Sequence, residues 1–258
     1  MRIFMLCLLT ALSFAAAADQ AERRVLVWTR NYLPNNGKGY VHDNLANNVT
    51  CIKELGVANG FAVEHADDPA IWSDEKLKPF KAVIFANANN QSFDNEEQKA
   101  AFQRYIRSGG GFVGIHSACG VERKWEWYWN LLGGTFVVHA KYGPFTIQVA
   151  DRSHLSTAHL GETWEWTDEF YVLKNMPAGL HVLLAADLAK SPTPELAKKH
   201  PEFGTACPLA WCHVFEGARS FNTTLGHNKE VYLKNEPYRK HLLGGILWAM
   251  GEGPVPAP

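Results

Sequence analysis

The stretch that most constrains the fold of this chain is Gly109–Gly120, which reads GGGFVGIHSACG. Its leading glycines predict a tight connection, and the largely apolar run Phe112–Ile115 predicts a short buried strand. The strand ends at two polar residues, His116 and Ser117. Because ligands of open α/β sheets bind outside the carboxyl ends of the strands, we expect the functional site to include these two residues.

Strands and helices are predicted to alternate around this stretch. The predicted strands cover residues 24–29, 62–65, 81–85, 112–115, 135–139, 145–149, 164–172, 180–186, 208–215 and 217–224. The predicted helices cover residues 44–55, 94–108, 125–132 and 237–250. This order predicts an α/β fold in which a mainly parallel sheet carries helices on both faces, with added antiparallel strands.

The N-terminal segment predicts export. Residues 1–18 contain Arg2, an apolar run over Ile3–Phe14 and four alanines, which is the pattern of a secretory signal peptide cleaved after Ala18. The apolar run is shorter than the ~20 residues that span a bilayer. We therefore expect a secreted, periplasmic protein without a membrane span. Residues 19–258 contain no linker, repeat or low-complexity segment, so a single domain is expected.

Charge and cysteine content exclude some classes of protein. The formal net charge is −1, which gives no electrostatic reason to expect nucleic acid or an anionic membrane as a partner. Four cysteines in a mature chain of this length do not form a disulfide framework. We expect them to be mostly buried thiols. They are Cys51, Cys119, Cys207 and Cys212.

Polar residues that can move protons or bind a ligand fall near the ends of several predicted strands. One histidine alone is more often a hydrogen-bonded structural residue, so the shared location of these residues is what indicates a site. They are His42, Asp43, His116, Ser117, His139, Asp168, Glu169 and His227.

Two chemistries fit this set of residues, and both remain open. Neutral imidazoles, with His116, His139 and His227 as candidates, together with Asp168 or Glu169 would hold a divalent metal that keeps an open position. Alternatively, the histidines and acids work without a metal as general acid and base.

A covalent mechanism is a weaker alternative. A strand followed by a sharp turn is the setting of a nucleophile elbow, but His116 occupies the elbow position here. Ser117 lacks a Gly-x-Ser-x-Gly frame, and Cys119 follows an alanine in a context typical of a buried thiol. A hydrolase that uses either residue therefore ranks below proton transfer.

Several motifs, in order, resemble the ThuA-like, or trehalose-utilisation, family, and the resemblance covers about residues 24–251. The motifs are GYVHD at 39–43, GGGFVGIHSA at 109–118, WY at 127–128, LGG at 132–134, FVVH at 136–139, DEFY at 168–171, PLAW at 208–211, LGH at 225–227 and HLLGGI at 241–246. The chain departs from the family pattern at Ala140, where proline is usual, and at Val41, where arginine is frequent.

The resemblance implies a flavodoxin-like fold of the class I glutamine amidotransferase superfamily. It also implies a part in disaccharide or glycoside catabolism, often beside oxidoreductases that make 3-keto sugars. The nucleophilic cysteine of the amidotransferases would align with His116, so amidotransfer itself is not expected.

Together these observations predict an enzyme that acts on a small carbohydrate, a disaccharide or keto-glycoside, as a lyase, hydrolase or isomerase. His116 and His42 are the expected proton-transfer pair, and Asp168 or Glu169 would orient or assist them. Substrate contacts are expected from Tyr40, Asp43, Ser117, Trp127, His139 and His227. The alternative is a non-catalytic protein that binds a sugar or another partner on the same fold.

Overall fold

The computed structural model of the protein describes residues 23–33 and 39–256. The predicted signal peptide, residues 1–18, lies outside the described residues, so export remains a prediction. None of the helices in the described ranges is both long and apolar enough to cross a membrane.

Eleven strands of the described chain form a nine-stranded sheet and a separate two-stranded sheet. They are β1 (Arg24–Trp28), β2 (Ala62–Ala66), β3 (Ala82–Ala86), β4 (Gly111–Ile115), β5 (Thr135–His139), β6 (Gly143–Val149), β7 (Thr163–Asp168), β8 (Tyr171–Lys174), β9 (His181–Ala186), β10 (Cys207–Phe215) and β11 (Ala218–Thr223). The order in the large sheet is β2-β1-β3-β4-β11-β10-β9-β6-β7, and β5 pairs with β8 in the small one.

The large sheet has a parallel half and an antiparallel half. The strands from β2 to β11 in the spatial order are parallel, and each of the remaining four is antiparallel to its neighbours. With β11 in fifth place, the parallel half has the 2-1-3-4-5 order of flavodoxin-like folds. The predicted parallel sheet with added antiparallel strands is therefore confirmed.

Helices cover both faces of the parallel half. The helices of the described residues are α1 (Leu45–Asn59), α2 (Asp74–Leu77), α3 (Glu96–Arg107), α4 (Glu126–Leu132), α5 (Leu196–Lys199), α6 (Lys229–Lys234) and α7 (Glu236–Ala249). Side chains alternate along each strand, so Val25 and Val27 of β1 pack with α1 and α7, whereas Leu26 and Trp28 pack with α3 and α4. The strands are buried on both faces, which is why they read as continuous apolar runs.

Local sequence signals account for most of the helix ends. Asn95 caps α3, because its Oδ1 accepts a hydrogen bond from the Gln98 backbone N–H at 3.0 Å. Gly60 and Gly133 end α1 and α4 in the left-handed conformation. The short helices α2 and α6 were not predicted, since four and six residues are too few to reveal a helical period.

Two further predictions concern the second half of the chain. Residues 164–172 were expected to form one strand, but they form the end of one strand and the start of another, β7 and β8, which belong to different sheets. The break leaves Glu169 and Phe170 in the turn between them. All four cysteines of the described chain are free and buried, as predicted.

Candidate functional site

A cavity of about 270 Å³ opens where the parallel strands end. Its wall includes His42, which precedes α1, and His227, which follows β11. Glu169 and Tyr171, from the turn between β7 and β8 and the start of β8, complete this polar side. A larger depression of about 770 Å³ lies between α2 and α3, but no histidine lines it.

His116, directly after β4, lies behind this polar side, with its ring fully buried and outside the cavity lining. Its φ of +48° is in the left-handed region, which costs on the order of 1–3 kcal/mol for a residue with a side chain. His116 Nδ1 donates to the carbonyl oxygen of Thr224 at 2.6 Å, because a carbonyl can only accept. The Nε2 lone pair therefore points toward His42 Nε2 at 3.1 Å and the Tyr171 hydroxyl at 3.0 Å.

His42 and His116 are both held in the neutral form. Burial, followed by the nearby His227, lowers the pKa of His42 to about 4. Burial, followed by the nearby His42, lowers the pKa of His116 well below its usual value. With His116 Nε2 as the acceptor, both His42 and Tyr171 donate to it. The two imidazoles are therefore uncharged bases at neutral pH.

Glu169 and His227 form a carboxylate–imidazole pair beside these neutral rings. Glu169 Oε2 lies 3.1 Å from His227 Nδ1 and 3.8 Å from His116 Nε2. Burial alone would raise the pKa of Glu169, but His227 and the other nearby imidazoles lower it overall. The same carboxylate raises the pKa of His227. The site thus places two neutral imidazoles beside a third whose pKa is raised.

Asp168 supports the site from behind and does not line the cavity. Its side chain is fully buried, and Oδ2 accepts from the Gly226 N–H at 2.8 Å and from Trp166 Nε1 at 3.0 Å. Oδ1 accepts from the Glu169 N–H at 2.8 Å. Burial raises the pKa of Asp168 to about 6. Of the two predicted carboxylates, Glu169 is the one that faces the imidazoles. Asp168 holds the segment that carries Glu169 against the loop that carries His227.

Two buried amides fix the other loops. Asn44 Nδ2 donates to the carbonyls of Gly226 at 3.0 Å and His227 at 2.8 Å, which ties the start of α1 to the loop after β11. Asn87 Nδ2 donates to the Tyr232 hydroxyl at 2.8 Å, and the Tyr232 hydroxyl donates to Gly226 O at 2.7 Å. The ring positions are thus set by hydrogen bonds between segments that are far apart in the chain.

A set of four groups has the donor atoms for a metal ion. One ligand atom from each lies within 4.8 Å of the others. The set is His42, His116, Glu169 and His227. His139, a metal candidate from the sequence, is outside this set, although its Nδ1 lies 3.5 Å from Glu169 Oε1 at the cavity wall.

The remaining predicted residues are placed differently. Tyr40 lies at the mouth, 60% exposed, with its ring centroid 4.7 Å from that of His42. Asp43 faces solvent and pairs with Lys229 Nζ at 3.3 Å. Ser117 lines the cavity, but its hydroxyl donates to Asn87 Oδ1 at 3.3 Å and has no histidine partner. Burial raises the pKa of Cys119 to about 12, so this thiol is not a ready nucleophile.

Trp127 does not reach the cavity. Its Nε1 donates to Glu216 Oε2 at 3.0 Å, and Glu216 belongs to the turn that precedes β11, at the opposite edge of the sheet. The phase of α4 is the physical reason, because it buries Tyr128 and Leu131 and turns Trp127 toward Phe215. The expected contact between Trp127 and a sugar therefore has no counterpart in the cavity.

Sequence reasoning missed Tyr171, Arg123 and Phe136, all of which line the cavity. A signal for Tyr171 existed in the DEFY motif, since residues two apart in an extended segment face the same side. Glu169 and Tyr171 have that spacing.

Solved structures with the same fold include two ThuA-like proteins, each with a TM-score of 0.68 and 19% identity. The protein from Bacteroides uniformis aligns over 88% of this chain and 91% of its own. The protein from Parabacteroides merdae aligns over 91% and 93%. A GMP synthase component from Thermoplasma acidophilum aligns over 88% and 94%, with 10% identity and a TM-score of 0.51. At these identities the likeness concerns the fold.

No curated protein sequence matches the chain. Residues 24–249, however, match the family described as ThuA, trehalose utilisation. This range includes every strand and helix given above and all four residues of the histidine and glutamate set. The chain therefore belongs to the ThuA family, whose description is one of carbohydrate metabolism.

Proposed function

We propose that this protein is an enzyme that acts on a keto-glycoside by moving a proton next to the carbonyl group. The observation that carries the proposal is the arrangement of His42, Glu169 and His227 in one cavity, with the neutral ring of His116 directly behind His42 at 3.1 Å. A base and an acid near neutral pH are the two groups that such a reaction needs.

Each group has a position that suits one role. His42 lines the cavity, and because its Nε2 donates to His116 Nε2, its Nδ1 keeps a free lone pair that can take the proton from the carbon beside the carbonyl. The Tyr171 hydroxyl, which lines the same cavity, can then donate to the oxygen on which negative charge develops. Glu169 raises the pKa of His227, which favours a protonated ring that can give its proton to the departing glycosidic oxygen. Together these steps are an elimination. In a hydrolysis, water would then add to the product. In an isomerisation, the proton would return to a different atom.

Size and surface support a sugar as the substrate. The volume of about 270 Å³ is near the lower limit of small-molecule sites, so one ring fits better than two. The second part of a glycoside would lie at the mouth, where Tyr40 is 60% and Tyr142 is 49% exposed. Their ring centroids lie 6.3 and 6.2 Å from that of His227. Flat rings of this kind pack against the C–H faces of sugars.

The direct test is to incubate the purified protein with a 3-keto glucoside and, separately, with the parent glucoside, and to follow both by NMR. We expect the keto form to be consumed and the parent to persist, because only the carbonyl makes the neighbouring C–H acidic. If the keto form persists as well, the proposal is wrong.

The exposed rings of Tyr40 and Tyr142 also favour a second candidate, a protein that binds a sugar without changing it. Calorimetric titration with the keto glycoside separates the two functions. Saturable binding with no product after prolonged incubation would support the binding protein.

A further inference from the structure

We propose that the same cavity holds one divalent metal ion, bound by His42, His116, His227 and Glu169, and that zinc is its best match. The inference rests on the site of the proposed function but not on the reaction. It names a ligand of the cavity that can be measured without any sugar.

The distances are those of a ligand set. In a tetrahedral zinc site with bonds of about 2.0–2.1 Å, two ligand atoms lie roughly 3.3 Å apart. His42 Nε2 and His116 Nε2 are 3.1 Å apart, and His227 Nδ1 and Glu169 Oε2 are also 3.1 Å apart. The widest separation in the set is within 4.8 Å, so small side-chain rotations would bring all four atoms to one centre.

The surrounding hydrogen bonds are those that metal ligands require. A ligating histidine usually donates its other ring N–H to a carbonyl or carboxylate, which fixes the ring. His116 does so through Nδ1 and Thr224 O at 2.6 Å. Asp168 holds the backbone N–H groups of Glu169 at 2.8 Å and Gly226 at 2.8 Å, so the loops that carry the other ligands are fixed as well.

The donor set selects the metal. Three imidazole nitrogens and one carboxylate oxygen suit zinc and its first-row neighbours, whereas magnesium and calcium prefer oxygen donors. The cavity on the open side of the set leaves room for an oxygen atom of a ligand. A bound metal would polarise a carbonyl that occupied this position.

A metal would change which residue moves the proton. The ring nitrogens of His42, His116 and His227 that face the centre would be occupied, so none of them would act as the base. His139 lines the same cavity outside the set, and its Nδ1 donates to Ala140 O at 2.8 Å, which leaves its Nε2 free to accept a proton. The metal proposal therefore moves the base from His42 to His139.

The experiment uses the whole mature chain, stripped with a chelator and titrated with Zn²⁺ alone by calorimetry and thermal melting. We expect one ion per chain and a higher Tm with zinc, because a ligand that binds only the folded state stabilises it. Glu169→Gln and His227→Ala should weaken binding by more than the ~10–100-fold that changes outside the ligand set cost.

Two histidine variants are the controls. His139→Ala should bind zinc as the wild type does and should lose turnover of a keto sugar if that turnover exists. His181→Ala removes another histidine that contacts a carboxylate, Asp151 at 2.8 Å, and should change neither property, because His181 lies outside the cavity lining. Glu169→Gln keeps the size of the side chain, and its melting without metal checks that it folds.

The outcomes separate this proposal from the proposed function. Failure of Zn²⁺, Co²⁺, Ni²⁺ and Mn²⁺ to bind at millimolar concentration would overturn the metal site and leave metal-free proton transfer standing. Unchanged binding in both Glu169→Gln and His227→Ala would also overturn it. Stoichiometric zinc that both variants lose, without turnover of any keto sugar, would establish the metal site and reject the proposed reaction.

Discussion

The molecule has two groups of buried histidines, and they differ in what surrounds them. His42 borders the cavity at the end of the parallel strands and His116 lies directly behind it, whereas His154 and His241 lie between α7 and the loop after β6. Burial is the first cause of a lowered pKa in all four, to about 4 for His42 and His154 and about 3 for His241. A lowered pKa therefore does not distinguish a functional histidine from a structural one.

The partners of the rings do distinguish them. His154 Nδ1 accepts from the Ser156 backbone N–H at 3.1 Å, and His241 Nδ1 donates to Ser156 O at 3.0 Å. Phe221 packs against both rings. Among the described residues, no carboxylate hydrogen-bonds to either ring. In the cavity, by contrast, three imidazoles and Glu169 turn their polar atoms toward one point.

The largest expected effect is on turnover in His116→Asn. Asparagine tolerates the left-handed backbone that His116 adopts, so the fold should persist. Without its acceptor at His116, the ring of His42 loses its orientation, and a bound metal would lose a ligand. Loss of a general base costs typically ~10²–10⁴-fold in rate, and we expect kcat for the keto sugar to fall in that range. The measurement is NMR turnover beside a thermal melt, and near wild-type turnover by a folded variant would remove His116 from the mechanism.

His241→Ala is the corresponding variant in the second group of buried histidines, His154 and His241. It should leave turnover per folded molecule unchanged and lower the free energy of unfolding by about 2–4 kcal/mol, because it opens a cavity in the core. The close packing of α7 limits relaxation, since a Cβ on Gly244 would lie 2.2 Å from Leu155 O. Denaturant unfolding measures the loss. If turnover fell and stability did not, the distinction between the two groups would fail.

Acid should destabilise the metal-free protein through both groups. A histidine whose pKa is lowered in the folded state stabilises that state above the unfolded pKa, and the contribution is lost as pH falls through the folded pKa. For His42 this window runs from 6.5 to about 4, worth on the order of 3 kcal/mol. Asp168, with its pKa raised to about 6, and His227, whose pKa is also raised, act in the opposite direction, but they are two groups against four.

The measurement for this prediction is denaturant unfolding between pH 7 and pH 4, with His154→Gln as the comparison. We expect the wild type to lose stability steadily on acidification and the variant to lose less, since it has one histidine fewer to protonate. A flat wild-type curve would contradict the neutral state assigned to these rings.

The pH dependence of kcat/KM in Glu169→Gln tests the role of His227 at the cavity. The carboxylate raises the pKa of His227, so its removal should lower that pKa. If protonated His227 is the acid, the alkaline limb of kcat/KM against pH should move to lower pH in the variant. Asp151→Asn is the control, because it removes a carboxylate that contacts a histidine outside the cavity lining, His181 at 2.8 Å. An alkaline limb that does not move would exclude His227 as the acid.

The sequence predicted the location of the site better than its details. His116 and His227 follow strands that proved to be parallel neighbours, and the carboxyl ends of such strands meet at one edge. The choice between Asp168 and Glu169 could not be made, because it depends on a strand break between them that alternation alone does not reveal. Trp127 was misplaced because the rotational phase of a seven-residue helix that is aromatic on several sides cannot be read from its sequence.

Contacts across long sequence separations lay beyond prediction. The bond from Asn44 to His227 O spans 183 positions, and the bond from His241 to Ser156 O spans 85. Nothing in the local pattern of either segment indicates its partner. The histidines of both groups look alike in the sequence for this reason, and only the folded arrangement separates them.

The smallest expected effect concerns the mouth of the cavity, a feature that His154 and His241 do not border. Tyr142→Ala removes a ring 49% exposed beside His227, and loss of an aromatic contact of about 0.5–1.5 kcal/mol should raise KM for a keto glycoside roughly 2–10-fold. kcat should change little, since the ring would contact the substrate away from the reacting atoms. Tyr32→Ala is the matched control, because Tyr32 is also 49% exposed but its ring contacts Arg30 and not His227. Equal KM values for the two variants would argue that the bound glycoside extends out of the cavity in another direction, away from Tyr142.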